Sequence, residues 1–249
     1  SKAFSSKVRV ISSPRATAEP LAWRTRRTAG LLSTESKPRM RRSVALSAVS
    51  AKSTGGVCAS ANVQLGGVVT SELVVYSPSG VLKTFSPIYS GPNIEAVSAD
   101  IVVDSSNNCF VVGRVNVFDG KNNEFFLAKY NEDNSPSLLW VKAFGSAAND
   151  EATSVDLDAS GNLYIAGTSD GTLQAGYPVG GKDIFVTKIS NAGVRIWLKQ
   201  LGTTADDITS SVLVQPDNTL VVTGHTKGQL GAVPVGDFDV FFLKMTPVP

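Results

Sequence analysis

The stretch FFLAKYNEDNSPSLLWVKAFGSAANDEATSVDLDASGNLYIAGT, which spans residues 125–168, decides the fold because nearly the same pattern returns in residues 184–226. A fainter copy lies in residues 73–113. Trp140 and Trp197 occupy equivalent places in the two clear copies, 57 residues apart. A fixed period of this size is typical of propellers, solenoids and other repeat arrays.

Four short apolar runs recur within one unit, and they are rich in Val, Ile, Phe, Leu and Thr, which favour β-strands. Turn-forming residues such as Asn-Ala-Gly and Pro-Asp-Asn separate the runs. In the last unit the runs are residues 184–189, 196–201, 209–214 and 220–224. Four strands per repeat are typical of a propeller blade. We therefore predict an all-β, β-propeller-like array over residues 57–249.

The repeats predict about three four-stranded blades plus an extra strand. The blades are assigned to residues 73–113, 125–168 and 184–226, and residues 240–244 open a fourth unit. Propellers normally contain four to eight blades, and an unpaired apolar strand invites aggregation. We therefore expect residues 240–244 to pair with an earlier unit or with another chain.

The clear units share a fixed order of signals: a Trp and a Gly, an acidic segment, a D-x-x-G-N turn, an apolar run ending in Gly-Thr, a Gly-rich loop and a D-x-F-x-x-K strand. In this chain the signals are Trp140, Gly145, Asn149 with Asp150, residues 158–162, Gly167 with Thr168, residues 176–181 and residues 183–188. This order resembles the bacterial-type β-propeller repeat family abbreviated SBBP. The resemblance is weaker over residues 57–124, where residues 104–108 (DSSNN) replace the turn, and it does not reach the first fifty residues.

Charge is unevenly distributed along the chain. Residues 1–52 carry twelve Lys or Arg side chains and two acids, a net charge of +10. Because the net charge of the whole chain is +2, the remaining residues carry a net charge of −8. The basic segment is rich in Ser, Ala and Thr, a composition that cannot bury a core. We therefore predict an extended basic arm over residues 1–56 and a β-propeller repeat domain over residues 57–249.

The arm has two interpretations. Its composition resembles a chloroplast or mitochondrial transit peptide, with a stretch of small residues after the last arginines. Alternatively, the arm is retained and docks on a partner, with apolar side chains in partner pockets and arginines on acidic surfaces. The predicted partner-binding residues are Trp23, Arg24, Arg26, Arg27, Leu31, Leu32, Arg39, Arg41 and Arg42.

The two cysteines do not suggest a disulfide framework. Cys109 falls at the repeat position of Leu163 and Leu220, which predicts a small core residue. For Cys58 we expect an unmodified thiol, and the alternatives are a thioether-linked pigment or a bond to another chain. We predict no cofactor.

The sequence offers few residues for catalysis or metal binding. His225 is the single histidine, which excludes multi-histidine metal sites. Residues 176–182 fit most of a Gly-x-x-x-x-Gly-Lys phosphate loop, but Asp183 replaces the required Ser or Thr. The recurring carboxylates suggest calcium or a glycosidase acid pair, yet acids in tight turns usually bond their own backbone. We predict no metal site and no enzymatic activity.

These features favour a non-catalytic scaffold or linker subunit of a large organellar assembly, with a chloroplast favoured over a mitochondrion and a phycobilisome-like antenna as the closest analogy. The expected partners are proteins with acidic surfaces, and a second copy or a partner strand would complete the propeller. One alternative is an organellar ribosome-associated subunit that binds rRNA through the arm. Another is a carbohydrate-binding or hydrolytic propeller. No run approaches the roughly 20 apolar residues of a membrane span.

Overall fold

The fold is all-β: a computed structural model shows fifteen strands in four antiparallel sheets. The structure describes residues 43–65, 67–89, 94–117, 122–131, 136–175, 180–231 and 236–246. The partner-binding residues predicted in the basic arm lie outside these residues, so that prediction stays untested.

Each sheet is a meander whose strands pair in chain order. Sheet 1 contains β1 (Ser43–Ala51), β2 (Val57–Leu65), β3 (Val68–Tyr76) and β4 (Leu82–Pro87). Sheet 2 contains β5 (Ile94–Val103), β6 (Cys109–Val117), β7 (Glu124–Tyr130) and β8 (Leu138–Phe144). Sheet 3 contains β9 (Asp150–Leu157), β10 (Leu163–Ser169), β11 (Asp183–Ile189) and β12 (Arg195–Leu201). Sheet 4 contains β13 (Asp207–Val214), β14 (Leu220–Thr226) and β15 (Asp239–Met245).

The expectation of four strands per unit is confirmed in sheets 1 to 3, but the predicted unit boundaries are wrong. The predicted unit 184–226 spans β11 to β14, and the structure assigns the first two of these strands to sheet 3 and the last two to sheet 4. Residues 240–244 accordingly belong to the third strand of sheet 4, where β15 pairs with β14. A periodic pattern specifies the spacing of strands, but it does not specify at which loop one sheet ends.

The predicted boundary between arm and domain also needs correction. The arm was assigned to residues 1–56, whereas β1 begins at Ser43 and pairs with β2 along its whole length. The sequence of β1, SVALSAVSA, consists of apolar and small polar residues and carries no charge. Its small residues resemble a processing region, and its strand character is shown by the pairing with β2.

The sheets pack face to face in chain order, with the first strand of each sheet beside the first strand of the next. One apolar cluster lies between sheets 1 and 2 and includes Leu73 and Tyr130. A second lies between sheets 2 and 3 and includes Phe125 and Phe185, whose rings stack with centroids 4.7 Å apart. A third lies between sheets 3 and 4 and includes Phe241. The faces that adjacent sheets turn towards each other are therefore buried.

One glycine of each repeat allows a close approach between strands. At Gly167 an added Cβ would overlap the backbone oxygen of Glu151 and the ring of Phe185, which pairs with Gly167 across the ladder. A β-bulge in the first strand brings this backbone oxygen inward. Equivalent positions are Gly113 with Val97 and Phe126, and Gly224 with Ile208 and Phe241.

The D-x-x-G-N turn connects the first two strands of sheet 3. Asp158 Oδ1 accepts hydrogen bonds from the backbone N–H groups of Ser160 at 2.9 Å and Asn162 at 2.8 Å. Gly161 takes a left-handed φ of 77°. Residues 104–108 form the same turn in sheet 2, with Asn107 at φ 61°, because Asn tolerates this region better than most residues. The departure from the repeat pattern therefore leaves the turn intact.

Candidate interaction surface

Sheet 4 ends one strand earlier than the others. In sheets 2 and 3 the third strand pairs with a fourth strand, β8 or β12. Among the described residues, β15 pairs with β14 alone. A strand edge without a partner is a template for an additional strand. We call this side of β15 the sheet 4 edge.

The face of sheet 4 that points away from sheet 3 carries several exposed apolar side chains. Val240 is 88% exposed, Phe242 68% and Leu213 55%, and Val221 on β14, which pairs with Leu213, lies on the same face. We call these four residues the sheet 4 face. The residues of sheet 3 that match Val240 and Phe242 are Ile184 and Val186, which are fully buried in the cluster shared with sheet 4.

Sheets 3 and 4 can be compared position by position, and the comparison shows that the exposed residues of sheet 4 match buried residues of sheet 3. The register places both Phe185 and Phe241 opposite the repeated glycine, so Ile184 corresponds to Val240 and Val186 to Phe242. In sheet 3 these positions are covered by the next sheet. Exposed apolar patches on soluble domains mark interaction sites more often than single scattered residues do.

The fourth strands of sheets 2 and 3 each contribute a tryptophan to a recurring aromatic group. In sheet 3 the rings of Trp197 and Tyr164 meet edge to face with centroids 5.9 Å apart. Lys188 Nζ lies 4.9 Å from the centre of the Tyr164 ring, and Lys188 pairs with Trp197 in the ladder. Sheet 2 repeats the group with Trp140, Phe110 and Lys129. The predicted equivalence of the two tryptophans is therefore confirmed.

Sheet 4 keeps only part of this group. Lys244 on β15 lies opposite Val221 on β14, as Lys188 lies opposite Tyr164 in sheet 3. No described strand lies on the other side of Lys244, where sheets 2 and 3 place their tryptophan. Within the described part of the chain, sheet 4 thus shows the third strand of the repeat and part of its aromatic group.

The opposite end of the stack also exposes apolar residues. On sheet 1, Val44, Leu46 and Val49 of β1 are 50–66% exposed, and Phe85 of β4 is 43% exposed. Their ladder partners place them on the side of the sheet that holds a small cluster around Val74. Both ends of the stack therefore present apolar side chains.

Two buried carboxylates meet where the chain passes from sheet 3 to sheet 4. Asp183 and Asp207 are fully buried and flank Gly202, where an added Cβ would lie 3.1 Å from Asp207 Oδ2 and would overlap Asp183 Oδ1. Asp183 accepts a hydrogen bond from Gln200 Nε2 at 2.9 Å, and Asp207 accepts one from Thr203 Oγ1 at 3.0 Å. Each Oδ1 atom has no hydrogen-bond partner among the described residues. The Asp207 carboxylate therefore lies close enough to Asp183 to disfavour the ionisation of Asp183.

Replacing Asp183 with Asn should stabilise the protein at neutral pH. Burial raises the pKa of Asp183, the Gln200 hydrogen bond opposes the shift, and the nearby Asp207 carboxylate adds to it. Because the pKa is raised in the folded state, the contribution of Asp183 to stability is present below the unfolded pKa of about 3.9 and is lost as the pH rises through the folded value. Asn cannot ionise, so its advantage should appear as the pH rises.

The measurement is the melting temperature across pH 3 to 8, a range chosen about the reference carboxyl pKa. Asp183→Asn should match the wild type at the acid end and exceed it at neutral pH. Asp237→Asn, at an exposed position, is the control and should follow the wild type throughout. A curve for Asp183→Asn parallel to that of the wild type would contradict a raised pKa.

The expectation of an unmodified thiol at Cys58 is wrong. Cys58 on β2 and Cys109 on β6 form a disulfide between sheets 1 and 2, and both residues are fully buried. A thioether-linked pigment and a bond to another chain are excluded by the same link. Cys109 does lie in the core, as its repeat position predicts.

The remaining candidate residues show no convergent chemistry. His225 is half-buried on β14, and its ring meets Phe238 edge to face at 5.4 Å. Lys182 of the phosphate-loop-like run pairs with Asp170 at 3.6 Å, and residues 176–179 of that run lie outside the described part. Within the described ranges, no three or more His, Cys, Asp or Glu side chains cluster as a metal site. In those ranges there is also no helix with the length and hydropathy of a membrane span.

Comparisons with solved structures give distant similarities, of which one is described here. No protein-family model and no curated protein matches the chain. A solved structure of PorZ, a surface component of the type IX secretion system of Porphyromonas gingivalis, matches with a TM-score of 0.44 and 14% identity over 80% of this chain. The matched part covers 25% of the PorZ chain. The resemblance to the SBBP family therefore stays a prediction from the sequence.

Proposed function

We propose that this chain is a non-catalytic scaffold subunit that joins a larger protein assembly through the sheet 4 face. The observation that carries the proposal is the exposure of Val240 and Phe242 at positions where sheet 3 has buried residues. Burying a large apolar side chain contributes about 1.5–3 kcal/mol. A partner that covers this face would therefore gain substantial affinity from a few side chains.

We further propose that the four sheets are consecutive blades of a β-propeller. Support comes from the meander order of every sheet and from the contacts between the first strands of successive sheets. The glycine that recurs opposite a phenylalanine in sheets 2 to 4 supports it as well. A propeller blade buries one face against each neighbour. The two apolar ends of the stack would then be the faces at which further blades or partners pack.

The location that we propose is an oxidising compartment of an organelle, with the chloroplast still favoured on the composition of residues 1–42. The Cys58–Cys109 disulfide supports oxidising conditions, because compartments held reduced by thioredoxin and glutathione rarely keep structural disulfides. The net positive charge of the arm supports acidic protein surfaces as partners. The ribosomal alternative depends on the arm alone and gains no support from the sheets.

The test is the size of the native complex formed by a tagged chain in its own cells. The double variant Val240→Thr/Phe242→Thr should keep the melting temperature of the wild type, because both residues are exposed, and should migrate as a free subunit on a native gel. Val194→Thr, which changes a residue that is 60% exposed in the β11–β12 turn, is the matched control and should stay in the complex. A double variant that still assembles normally would refute the role of the sheet 4 face.

A further inference from the structure

The fourth strands of sheets 2 and 3 share an irregularity at the outer edge of each sheet. Among the described residues, β8 pairs with β7 alone and β12 pairs with β11 alone. The ladder register omits Leu139 in β8 and Ile196 in β12, and such a bulge leaves the extra residue unpaired and redirects its side chain. Leu139 is 51% exposed and Ile196 is 53% exposed. Both repeats therefore turn a large aliphatic side chain to the solvent at the same position.

The charges on these two strands all have the same sign. Lys142 lies on β8, and Arg195 and Lys199 lie on β12. The described ranges 136–149 and 190–205 contain no acid, and the ion pairs of the described residues include none of these three cations. The two acids that come before β8 in the sequence, at positions 132 and 133, lie outside the described residues. The two fourth strands are therefore basic, although residues 53–249 carry a net charge of −8.

The turn between β11 and β12 brings the two bulges near each other. Gly193 in this turn lies against β8, since an added Cβ would be 3.0 Å from the Trp140 ring, and Lys142 Nζ donates a hydrogen bond to the Gly193 oxygen at 2.8 Å. Leu139 directly precedes Trp140, and the backbone of Ile196 lies within about 11 Å of Gly193, because only three residue steps separate them. We call the exposed aliphatic and basic residues beside this contact the outer-strand surface: Leu138, Leu139, Lys142, Arg195, Ile196 and Lys199.

The chemistry of the outer-strand surface favours a lipid bilayer over a protein as the occupant. A bulge and a lysine on an edge strand both hinder the addition of another strand. Lysine is also depleted in the cores of protein interfaces, whereas here lysines lie beside the exposed aliphatic residues. Aliphatic side chains that enter the boundary of a bilayer need no matching pocket, and Lys and Arg are attracted to anionic headgroups.

We propose that the outer-strand surface adsorbs to an anionic lipid bilayer, with Leu139 and Ile196 inserted at the headgroup boundary and the cations beside lipid phosphates. The half-buried Trp140 and Trp197 follow the two bulges directly, and indole rings are favoured at this depth of a membrane. The inference goes beyond the proposed assembly role and uses no residue of the sheet 4 face.

The probe is a vesicle made of equal parts of phosphatidylcholine and phosphatidylglycerol, with bromine on the acyl chains to quench nearby indoles. The full chain carries Trp23→Phe, so that its remaining tryptophans are Trp140 and Trp197 and the basic arm contributes no signal. These vesicles should quench the tryptophan fluorescence, whereas brominated vesicles of phosphatidylcholine alone should not, because they lack anionic headgroups. Sedimentation with the vesicles that quenches neither tryptophan would show that the arm alone binds, and it would overturn the inference.

Two exposed aliphatic pairs separate insertion from general adhesion. Leu139→Ser/Ile196→Ser should abolish the quenching, because the inserted side chains are lost. Leu213→Ser/Val240→Ser, which changes two aliphatic residues of similar or greater exposure in sheet 4, is the matched control and should keep it. Both variants should keep the melting temperature of the wild type. Quenching that survives the first change, or that is lost equally in both variants, would contradict insertion of the outer-strand surface.

The cations give a second, independent readout. Arg195→Gln/Lys199→Gln should weaken the apparent affinity for the anionic vesicles by at least about tenfold, because each cation near an anionic surface contributes a factor of about five. An unchanged affinity would contradict the role of these cations. If the wild type does not bind the vesicles and this variant releases a protein from the native complex, the surface belongs to a protein partner and the lipid inference is wrong.

Discussion

Replacing Phe241 with Ala should lower the free energy of unfolding by about 3–5 kcal/mol, the usual range for a buried phenylalanine. The same replacement at Phe242 should change it by no more than about 0.5 kcal/mol, as at most surface positions. These neighbours on β15 face opposite sides of the sheet: Phe241 is 6% exposed and Phe242 is 68% exposed. The pair therefore tests the register of the last strand with two changes of equal size.

The large effect expected at Phe241 has a local cause. Its ring packs where Gly224 has no side chain, and an added Cβ there would lie 2.5 Å from Phe241 Cζ. Removing the ring would leave a cavity over the glycine in the cluster between sheets 3 and 4, and cavity formation adds to the lost transfer free energy. Urea unfolding followed by tryptophan fluorescence measures both variants. Equal losses at the two positions would mean that β15 does not pack in this register.

The repeat was the part of the fold that the sequence could predict. Trp140 and Trp197, and the glycines Gly167 and Gly224, recur because each performs the same packing task in successive sheets. The position of the sheet boundaries could not be read from the same pattern, because shifting a periodic pattern along the chain leaves it unchanged. In the structure the last boundary falls between Leu201, at the end of β12, and Asp207, at the start of β13.

The start of the domain was missed for a different reason. The residues of β1 have small side chains and follow a run of arginines, so composition alone associates them with the arm. Their strand character depends on pairing with β2, whose residues Cys58 to Val63 are mostly buried. Tertiary context, and not local propensity, therefore determines that Ser43–Ala51 belongs to the domain.

The sequence predicts the strand at residues 240–244, but it does not predict which of its side chains are exposed. The repeat identifies residues 240–244 as the counterpart of residues 184–188, the third strand of sheet 3. The exposure of Val240 and the burial of Phe241 depend on which face of β15 meets sheet 3, and alternation alone does not decide between the two faces. The candidate residues of the arm, including Trp23, lie outside the described residues and stay predictions.

Reducing the Cys58–Cys109 disulfide should lower the free energy of unfolding by about 4 kcal/mol. The two cysteines are 51 residues apart in the sequence, and the loop-entropy relation gives about this value for a loop of that length. Their Cα atoms lie 6.4 Å apart, within the range that disulfides adopt. The sequence could not indicate this pair, because the cysteines meet only through the stacking of sheet 1 on sheet 2.

The measurement compares urea unfolding midpoints with and without a thiol reductant. The wild type should lose stability in the reductant, and a Cys58→Ala/Cys109→Ala variant should be insensitive to it and less stable than the oxidised wild type. Because both sulfurs are buried, the reductant should act only after the sheets separate, so that incubation in partly denaturing urea is required. Mass spectrometry after alkylation reports the thiols directly. An oxidised sample that alkylates at both cysteines upon unfolding, with no change in midpoint, would contradict the link and remove the argument for an oxidising compartment.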